Sequence, residues 1–437
     1  MSESTKGVYI STYGCQMNVN DTERMYSLLE MSNYTPVTSP EMADLILINS
    51  CSVREKPVHK VSSEVGRYRE LKKGNPLLRI GVGGCVAQQE KKKLIDDNPL
   101  IDFVFGTDNI DQLPELAEKA RGTKDKLVHA KFEYTKPYQI QTLIRNPGIS
   151  TFINITKGCD NFCTFCVVPY TRGRERSRPM KELIQDIQAL TQRGVKEVTL
   201  LGQNVNSYKS DCGASFGELM RTLSEQTDVL RIRYTTSHPK DFNQELVDLS
   251  QAYRKKICDY IHLPVQSGNS EVLQRMNRGY SREEYMQKVE MIRKAIPDVT
   301  LSTDIIVGFP GETEEQFQET LSMVKQVRYD NIYAFKYSPR PFTKAARWEE
   351  QLSEAEKSER LERLFALQRP ISLELAEESV GKTYEVLVEE INDGLIFGRT
   401  SNNRPARFAA GELKIGDLAH FKVKKARPSM LEGERVQ

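Results

Sequence analysis

The sequence feature that most constrains this chain is a run of three cysteines with the spacing C-x3-C-x2-C. The run occupies residues 158–166 and reads GCDNFCTFC. Thiolates are soft ligands that suit iron, copper or zinc, and four of them normally complete a [4Fe–4S] cluster. The three thiolates of Cys159, Cys163 and Cys166 would leave one iron open, because residues 167–170 (VVPY) supply no fourth ligand. That iron could hold a substrate or cofactor, so the run predicts a chemically active iron–sulfur centre.

Two other interpretations of the run are a zinc knuckle and reduced thiols in a tight turn. Zinc sites prefer pairs of C-x2-C or sets of cysteine and histidine. No histidine lies near residues 158–166, so the spacing favours iron and sulfur.

An aromatic residue, Phe165, precedes the last cysteine, and with it the run resembles the motif of the radical S-adenosylmethionine (SAM) enzymes. The resemblance implies that the amino and carboxylate groups of SAM chelate the open iron. It also implies that reductive cleavage of the sulfonium gives a 5′-deoxyadenosyl radical. The motif indicates the class of chemistry, but the substrate has to be inferred from the rest of the sequence.

Composition argues against several other classes of protein. A chain of 437 residues with 38% hydrophobic residues is expected to form two or three domains. No apolar run approaches the roughly 20 residues that cross a membrane, and the start, MSESTKG, lacks the pattern of a signal peptide. We therefore expect a cytoplasmic protein whose eight cysteines are metal ligands or free thiols. The net charge is only +2, so any RNA site must come from local basic patches.

Three further cysteines each follow a predicted strand in the amino-terminal third. The strands are expected at residues 6–14, 44–49 and 77–82, with helices between them, one of which covers about residues 58–73. Strands that alternate with helices predict a doubly wound parallel sheet. The carboxyl ends of parallel strands share one edge, so Cys15, Cys51 and Cys85 should converge there. We interpret them as ligands of a second iron–sulfur cluster; three ordinary buried cysteines are the alternative.

The chain is expected to divide into four segments. Residues 6–122 form the amino-terminal domain, 123–144 a linker that contains Pro137, 145–375 a central domain and 378–437 a carboxyl-terminal domain. Six strand-like segments of the central domain alternate with helices, at residues 151–155, 197–201, 231–235, 259–263, 299–307 and 331–336. Six such units are fewer than the eight of a full barrel. They match the open partial (β/α)6 barrel that the resemblance to radical SAM enzymes implies.

Polar residues at the ends of these strands are candidates for binding SAM and substrate, because barrel active sites lie at the carboxyl ends of strands. His238 and His262 could equally be structural. Residues 305–313 (IIVGFPGET) correspond, in the resemblance, to the strand and turn near the adenine, although many strand–helix joins look alike. The residues that we assign to SAM binding are Phe165, Gln203, Asn204, His262, Gln266 and Asp304.

Four alternate arginines follow the cysteine run directly: Arg172, Arg174, Arg176 and Arg178. Residues two apart in an extended segment face one side, and a row of guanidiniums there would suit phosphates. We predict that the row binds RNA. The alternative is a solvated basic loop with one acidic partner, Glu175.

The sequence pattern changes at the carboxyl-terminal domain. A charged helix at residues 352–379 is followed by short alternating strands with glycine turns in residues 382–426, which predict a small β-barrel. Positive barrels of this size commonly bind single strands or RNA loops, and this one resembles the TRAM domain of RNA-modifying enzymes. A capping or dimer-forming barrel is the alternative. The basic residues that we assign to RNA binding are Arg399, Arg404, Arg407 and Lys424.

The order of the domains resembles that of the radical SAM methylthiotransferases over nearly the whole chain. Three strings resemble their MiaB branch, namely residues 13–20 (YGCQMNVN), 49–55 (NSCSVRE) and 166–175 (CVVPYTRGRE). The resemblance implies two [4Fe–4S] clusters, one that makes the radical and one that carries or passes on sulfur, with a methyl group from a second SAM. It implies conversion of N6-isopentenyladenosine at position 37 of tRNA to its 2-methylthio form. Ser50 stands where the branch commonly has threonine, which leaves Cys51 intact.

The same resemblance implies the partners. The substrate would be an anticodon loop, from which one unpaired base is extruded, and an electron donor and a sulfur source would be needed that the sequence does not identify. We expect a monomer. An apolar wall should accept the isopentenyl group, and position alone suggests Phe165, Val167, Val168 and Tyr170 for it.

Two other functions remain open from the sequence. One is a methylthiotransferase that acts on threonylcarbamoyladenosine in tRNA or on an aspartate of a ribosomal protein, and the three strings argue against it. The other is a non-catalytic iron–sulfur protein that binds RNA or senses redox state. Cys212 and Cys258 match no motif, and we interpret them as free thiols.

Overall fold

The computed structural model of the protein describes residues 5–52, 55–133, 138 and 142–436, without the side chains of residues 55–59. Part of the expected linker, residues 134–137 and 139–141, lies outside the described residues, as do Val53 and Arg54 of the second cysteine string. In the described part of the chain, no helix is long and apolar enough to cross a membrane.

A parallel sheet with helices on both faces forms the amino-terminal domain. Its strands are β1 (Lys6–Tyr13), β2 (Tyr34–Pro36), β3 (Leu45–Ser50), β4 (Arg79–Gly83), β5 (Phe103–Phe105) and β6 (Leu127–His129). Its helices are α1 (Gln16–Glu30), α2 (Glu55–Arg67), α3 (Arg69–Gly74), α4 (Gly84–Glu90), α5 (Lys92–Asp97) and α6 (Leu113–Gly122). The strand order is β2-β1-β3-β4-β5-β6, and the pairs are parallel.

Alternate residues of the central strands point to opposite faces of this sheet. Ile46 and Ile48 of β3 pack in a buried cluster with residues of α2, α4 and α5. Leu45 and Leu47 pack in a second cluster with residues of α1 and α6. Both faces are therefore buried under helices, which confirms the predicted doubly wound sheet.

The register of the sheet aligns the ends of three neighbouring strands. Tyr13 of β1 pairs with Ser50 of β3, and Asn49 of β3 pairs with Gly83 of β4. The cysteines at positions 15, 51 and 85 come directly after these ends, so their predicted placement at one edge of the sheet is confirmed.

Two of the strands were not expected from the sequence. β2 and β6 have only three residues each, too few to show an alternating pattern. β6 lies within residues 123–144, so the sheet continues past residue 122 into the segment expected to be linker. The long helix expected at about residues 58–73 is divided into α2 and α3 at Tyr68.

Six parallel strands and their helices form the central domain. The strands are β7 (Ser150–Asn154), β10 (Glu197–Leu201), β11 (Arg231–Tyr234), β12 (Tyr260–His262), β13 (Thr300–Val307) and β14 (Asn331–Lys336), with a short antiparallel pair β8 (Thr156–Lys157) and β9 (Arg176–Ser177). The helices are α7 (Val168–Thr171), α8 (Met180–Gln192), α9 (Phe216–Gln226), α10 (Gln244–Ala252), α11 (Ser270–Arg275), α12 (Arg282–Ala295), α13 (Glu314–Val327) and α14 (Glu354–Glu377).

The six parallel strands form two sheets of three, in the orders β11-β10-β7 and β12-β13-β14. A parallel bridge between Ile232 and Ile257 joins them, and one buried cluster runs through both sheets and their helices. The predicted partial barrel is confirmed. Helices α9, α12, α13 and α14 each begin with a capping box, in which the N-cap hydroxyl and the N3 side chain satisfy each other's backbone amides.

A closed barrel of five strands forms the carboxyl-terminal domain. The strands are β15 (Thr383–Asn392), β16 (Leu395–Thr400), β17 (Pro405–Ala409), β18 (Leu418–Arg427) and β19 (Met430–Arg435). The barrel closes in the order β15-β16-β17-β19-β18 around Val388, Phe408 and Phe421. This confirms the small β-barrel, to which β19 adds a strand that the sequence did not indicate.

Candidate active site

The cysteine loop, residues 158–166, begins with a backbone conformation that requires glycine. Gly158 has a φ of +81°, and a Cβ there would lie 2.1 Å from the carbonyl oxygen of Arg174. Its N–H donates to Oε1 of Gln203 at 2.5 Å. At the other end of the loop, the N–H of Cys166 donates to the carbonyl of Cys163 at 3.0 Å. The loop therefore turns back on itself and brings its thiols together.

The connection between α11 and α12 holds this loop from outside. The hydroxyl of Thr164 donates to the carbonyl of Arg275 at 2.8 Å, and Nδ2 of Asn277 donates to the carbonyl of Asn161 at 2.9 Å. Nη1 of Arg278 lies 3.4 Å from Sγ of Cys163 and donates to it. Arg278 is buried, so its charge acts on this sulfur with little screening by water.

The thiols of the loop lie in a largely apolar setting. Burial raises the pKa of Cys159 to about 11, and burial together with the charge of Cys163 raises the pKa of Cys166 to about 12. Phe165, next to Cys166, packs edge-on against Phe309 with ring centroids 6.5 Å apart. Buried thiols of high pKa are poor thiolates by themselves, and a bound metal centre would offset that cost.

The second set of thiols, Cys15, Cys51 and Cys85, contact one another at the edge of the amino-terminal sheet. Hydrogen bonding with Cys51 lowers the pKa of Cys15 and the pKa of Cys85, each to about 6. The same bonds, with burial, raise the pKa of Cys51. Gly14 allows this approach, because a Cβ there would lie 2.6 Å from the Cβ of Cys51.

Arg172 of the central domain reaches into this second set. It is 3% exposed, and its Nη2 donates to Oδ2 of Asp21 at 2.8 Å. Its charge also favours the thiolate forms of Cys15 and Cys85 and so contributes to their lowered pKa values. The amino-terminal thiols are therefore surrounded by groups from two domains.

The two sets of cysteines lie on elements that pack against each other. Helix α4 carries Cys85, helix α7 begins two residues after Cys166, and these helices are in contact. The hydroxyl of Thr107 donates to the carbonyl of Thr171 at 2.9 Å. The carboxyl edge of the sheet therefore faces the cysteine loop of the barrel.

Both sets fit the ligands of an iron–sulfur cluster. Each offers three thiols that influence one another's charge, the number that leaves one iron of a [4Fe–4S] cluster open. Among the described residues, no group of three His, Cys, Asp or Glu side chains is arranged to hold a single metal ion; Cys51 nevertheless lies close enough to Cys15 and Cys85 to share hydrogen bonds with them.

Polar side chains line the inside of the barrel. Nδ1 of His262 lies 2.9 Å from the hydroxyl of Ser302, and its Nε2 lies 3.5 Å from Oδ1 of Asp304. The ring of His262 meets that of Tyr333 edge-on, and Tyr333 is 44% exposed. Half-buried acid, imidazole and phenol groups that face an open interior can bind a polar small molecule.

The other residues predicted to bind SAM differ in their burial and in the hydrogen bonds that they already make. Gln203 accepts a hydrogen bond from the N–H of Gly158 and so fixes the start of the cysteine loop. Asn204 is buried; its Nδ2 donates to Asp241 at 2.6 Å and its Oδ1 accepts from the N–H of His238 at 3.2 Å. Gln266 is buried with a φ of +78° and bridges to Ile305. Asn204 and Gln266 thus hold backbone in place beside the interior.

Comparison with known proteins gives the family. Residues 153–324 match the Radical SAM superfamily, residues 7–106 match the Uncharacterized protein family UPF0004, and residues 377–436 match the TRAM domain. The chain is 59% identical over 433 residues to the tRNA-2-methylthio-N(6)-dimethylallyladenosine synthase of Bdellovibrio bacteriovorus, covering 99% of this chain and 96% of the relative. The chain belongs to this synthase family. It is also 43% identical over 438 residues to the synthase of Carboxydothermus hydrogenoformans, covering 99% of each.

Solved structures of low identity share the fold. The radical S-adenosylmethionine methyltransferase TsrM from Kitasatospora setae superposes with a TM-score of 0.56 at 14% identity, over 90% of this chain and 80% of that one. The cobalamin-dependent S-adenosylmethionine radical enzyme OxsB gives 0.52 at 13% identity, over 81% and 56%. The predicted family is confirmed, and membership in the radical SAM superfamily implies a [4Fe–4S] cluster and SAM.

The four alternate arginines of this synthase-family chain do not form one exposed row. Besides Arg172, Arg178 is buried and pairs with Asp186 at 2.7 Å. Arg176 pairs with Asp108 at 2.8 Å, whereas Arg174 is exposed and pairs with Asp160 at 2.6 Å. The predicted phosphate-binding row is therefore wrong as a unit: carboxylates of neighbouring elements bind three of its members inside the protein.

The basic residues of the small barrel also divide into two groups. Arg399 pairs with Glu197 of β10, and Arg404 pairs with Asp330 before β14, so both fasten the barrel to the central domain. Arg407 pairs with Glu432, and Lys424 pairs with Glu434, within the barrel. The last two are the more exposed and remain predicted RNA contacts.

Sequence reasoning missed three features of the site. Arg278 lies 112 positions after Cys166 in the chain, so nothing in the sequence links the two. Burial and the nearby Asp160 and Asp241 raise the pKa of Glu175 to about 7, whereas the sequence suggested an ordinary ion-pair partner. The exposed rings of Tyr170 and Phe342 meet near the cysteine loop. The sequence suggested Tyr170 only for an apolar wall, and nothing in it pointed to Phe342.

Proposed function

We propose that this protein methylthiolates N6-isopentenyladenosine at position 37 of tRNA, replacing the hydrogen on C2 of the adenine with a methylthio group. One observation carries the proposal. In a chain 59% identical to a synthase named for that product, the helix that bears Cys85 packs on the helix that follows Cys166. A base held at the barrel mouth would therefore lie between the two sets of thiols.

Two [4Fe–4S] clusters fit the chain, one on Cys159, Cys163 and Cys166 and one on Cys15, Cys51 and Cys85. When bound, the first cluster together with SAM would supply radical chemistry to remove the hydrogen, and the second would supply sulfur. A second SAM supplies the methyl group.

Side chains of the protein would position the two clusters and SAM. Arg278 donates to Sγ of Cys163 and places positive charge beside that ligand. Arg172 places positive charge beside Cys15 and Cys85. Phe165 and its aromatic neighbours exclude water from one side of the loop. His262, Asp304 and Gln203 border the space that SAM would occupy.

The RNA-binding part of the proposal concerns the outer surfaces. An anticodon loop is unpaired, so one base can be splayed out and inserted into the barrel. Arg174 and Lys424 are exposed and Arg407 is partly exposed, so these cations suit its phosphates. We further propose that the protein acts as a monomer, because one chain supplies both sets of cysteines. It would act in the cytoplasm, with an external electron donor and an external sulfur source.

The direct test is mass spectrometry of nucleosides from an isopentenylated anticodon stem-loop after anaerobic reaction with reconstituted protein, SAM and a reductant. The wild type should form the 2-methylthio nucleoside. Cys159→Ala should form neither product nor 5′-deoxyadenosine, and Cys15→Ala should form 5′-deoxyadenosine without sulfur insertion. Cys212→Ala is the matched control, because Cys212 is an exposed thiol outside both sets. Full methylthiolation by Cys15→Ala would refute the role of the second set.

Iron and sulfide content locates the clusters independently of activity. We expect about eight irons per chain in the wild type and about four in the variant with Cys159, Cys163 and Cys166 all replaced by alanine. About four irons falling to none would instead make the amino-terminal thiols structural, and sulfur insertion would then lose its donor.

A further inference from the structure

Two exposed aromatic rings meet at the rim of the cysteine loop. Tyr170 is 42% exposed and Phe342 is 53% exposed, and their ring centroids lie 5.8 Å apart with the planes inclined by 34°. Tyr170 belongs to α7, four residues after Cys166, and Phe342 belongs to the segment between β14 and α14. Large apolar side chains that contact each other but stay in solvent often mark an interaction surface.

The backbone at Phe342 is strained, and packing in a core does not account for it. Its φ is +70°, in the left-handed region that a bulky side chain rarely adopts. Its ring is more than half exposed, so the strain does not serve to fill the interior. The next residue, Thr343, closes the turn by donating its N–H and hydroxyl to the carbonyl of Arg340, at 3.3 and 2.8 Å. Strain of this kind concentrates at functional positions.

The segment that carries Phe342 is basic and is joined to the cysteine loop. Residues 338–347 (SPRPFTKAAR) contain three cations and no acidic residue, and Lys344 and Arg347 are exposed. The N–H of Ala345 donates to the carbonyl of Thr164 at 3.0 Å. A third exposed ring, that of Phe162, lies under the guanidinium of Arg174, 5.3 Å away. Aromatic faces among cations are how proteins hold unpaired nucleotides.

We propose that Tyr170 and Phe342 form a stacking platform for an unpaired base next to the target adenosine in the substrate RNA. The inference rests on the proposed function and names the residues that hold the loop beside the barrel mouth. The exposed position of the rings favours a base over the isopentenyl group, because a branched alkyl chain gains most from an enclosed apolar wall whereas a base needs only one flat face.

Phe342→Gly gives the sharpest test, because glycine adopts the left-handed conformation without strain. A stacking contact contributes about 1 to 3 kcal/mol per base, so the variant should bind an isopentenylated anticodon stem-loop about 5- to 150-fold more weakly than the wild type. Its melting temperature should be equal or higher. Fluorescence anisotropy of the labelled stem-loop, with the reconstituted enzyme, measures the first quantity.

Three further variants separate stacking from apolar bulk. Tyr170→Phe should bind like the wild type, whereas Tyr170→Leu should lose affinity. With 2-aminopurine at the nucleotide after the target adenosine, its fluorescence should be quenched by the wild type and less so by Phe342→Leu. Met42→Ala is the control, because Met42 is 64% exposed on the amino-terminal domain.

Three results would overturn the platform. Wild-type affinity of Phe342→Gly would show that the ring is not used, and wild-type quenching by Phe342→Leu would show that it does not stack. If the wild type failed to bind the stem-loop at all, the proposed function would fail together with the platform. Loss of affinity by the variants alone therefore supports the platform, and its failure is distinguishable from failure of the function.

Discussion

Arg172 belongs to the central domain but lies among the thiols of the amino-terminal one. Its guanidinium is buried with the carboxylate of Asp21, and a buried ion pair stabilises a fold only while both partners are present. The pair therefore couples two properties of the protein: the docking of the two domains, and the positive charge beside Cys15 and Cys85.

Replacing Arg172 by glutamine should disturb both properties. Loss of one partner leaves the Asp21 carboxylate buried and unpaired, which should lower the free energy of unfolding by about 3 to 5 kcal/mol. With Cys159, Cys163 and Cys166 replaced by alanine, only the amino-terminal cluster remains, and its reduction potential should fall because a nearby positive charge has been removed. Denaturant titration and redox-poised electron paramagnetic resonance measure the two effects.

Arg172→Lys keeps the charge and should retain most of the potential. Arg363→Gln is the control, since Arg363 pairs with Glu314 and Glu359 on the surface and should change stability by less than about 1 kcal/mol. An unchanged potential in Arg172→Gln with an intact cluster would show that the guanidinium only joins the domains.

His238 should make the folded protein sensitive to acid. Burial, with Arg278 and Lys240 nearby, lowers its pKa to about 2, whereas an unfolded chain protonates it near pH 6.5. As the pH falls below about 6.5, the unfolded chain takes up a proton on His238 but the folded protein does not. Protonation therefore stabilises the unfolded state, and the stability of the fold decreases as the pH falls. The loss attributable to His238 between pH 7 and pH 5 should be about 2 kcal/mol.

His238→Asn provides the comparison for this pH effect. Asparagine can accept the N–H of Lys240 as Nδ1 of His238 does at 3.2 Å, but it does not titrate. Urea denaturation at several pH values should show a shallower acid loss in the variant. Equal slopes in the two proteins would mean that other groups cause the acid sensitivity.

At the scale of single residues, the sequence indicated where the cysteines cluster better than it indicated what surrounds them. The cysteines were identified because spacing and strand ends are local properties. The fate of Arg172 and Arg178 depends on Asp21 and Asp186, which reach them only through tertiary structure. Alternation along the chain could not distinguish a buried ion pair from an exposed phosphate-binding row.

At the scale of elements, the cysteine loop depends on one backbone conformation. Gly158 combines a left-handed φ with a close approach to the carbonyl of Arg174. The regular strands and capped helices around it were predictable from period and capping motifs. The short strands β2 and β6 were not, because the neighbouring strands specify them more than their own residues do.

Gly158→Ala should prevent the loop from closing around its cluster. The new Cβ would collide with backbone, which cannot rotate away as a side chain can, so we expect loss of about four of about eight irons. Gly194→Ala is a matched control, because Gly194 has a φ of +96° but nothing within 4 Å of the added Cβ. It should cost about 1 to 2 kcal/mol of stability and keep all its iron.

Iron analysis and thermal melting distinguish these two effects. Iron content in Gly158→Ala equal to that of the control would mean that the added Cβ does not prevent the loop from closing.

At the scale of the whole molecule, two arginines of one strand hold the small barrel in place. Nη2 of Arg231 donates to the carbonyl of Glu385 at 2.9 Å. Arg233 donates to the carbonyls of Ser401 and Thr400, both at 2.8 Å. The order of domains was predictable from their separate patterns, but this docking was not, because Arg231 and Arg233 look like ordinary strand residues in the sequence.

Arg233→Met should loosen the small barrel without unfolding either domain. The variant removes the Arg233 donor from two carbonyls and one of the two arginines that pair with the buried Glu197, so proteolysis between α14 and β15 should accelerate and affinity for the stem-loop should fall. Cleavage of SAM without RNA should be unchanged. Arg328→Gln, which removes surface pairs with Glu374 and Glu378, is the control. Proteolysis at the wild-type rate would contradict the docking role.

The contacts of Arg231 and Arg233 have a consequence for how such chains diversify. Guanidiniums that bind main-chain carbonyls recognise the path of the backbone and are indifferent to the side chains attached to it. The outer surface of the small barrel can therefore change its sequence, and with it the RNA it prefers, while the joint to the catalytic domain stays the same. A barrel transplanted from a relative should seat correctly if the start of its β15 and the end of its β16 have the same conformation.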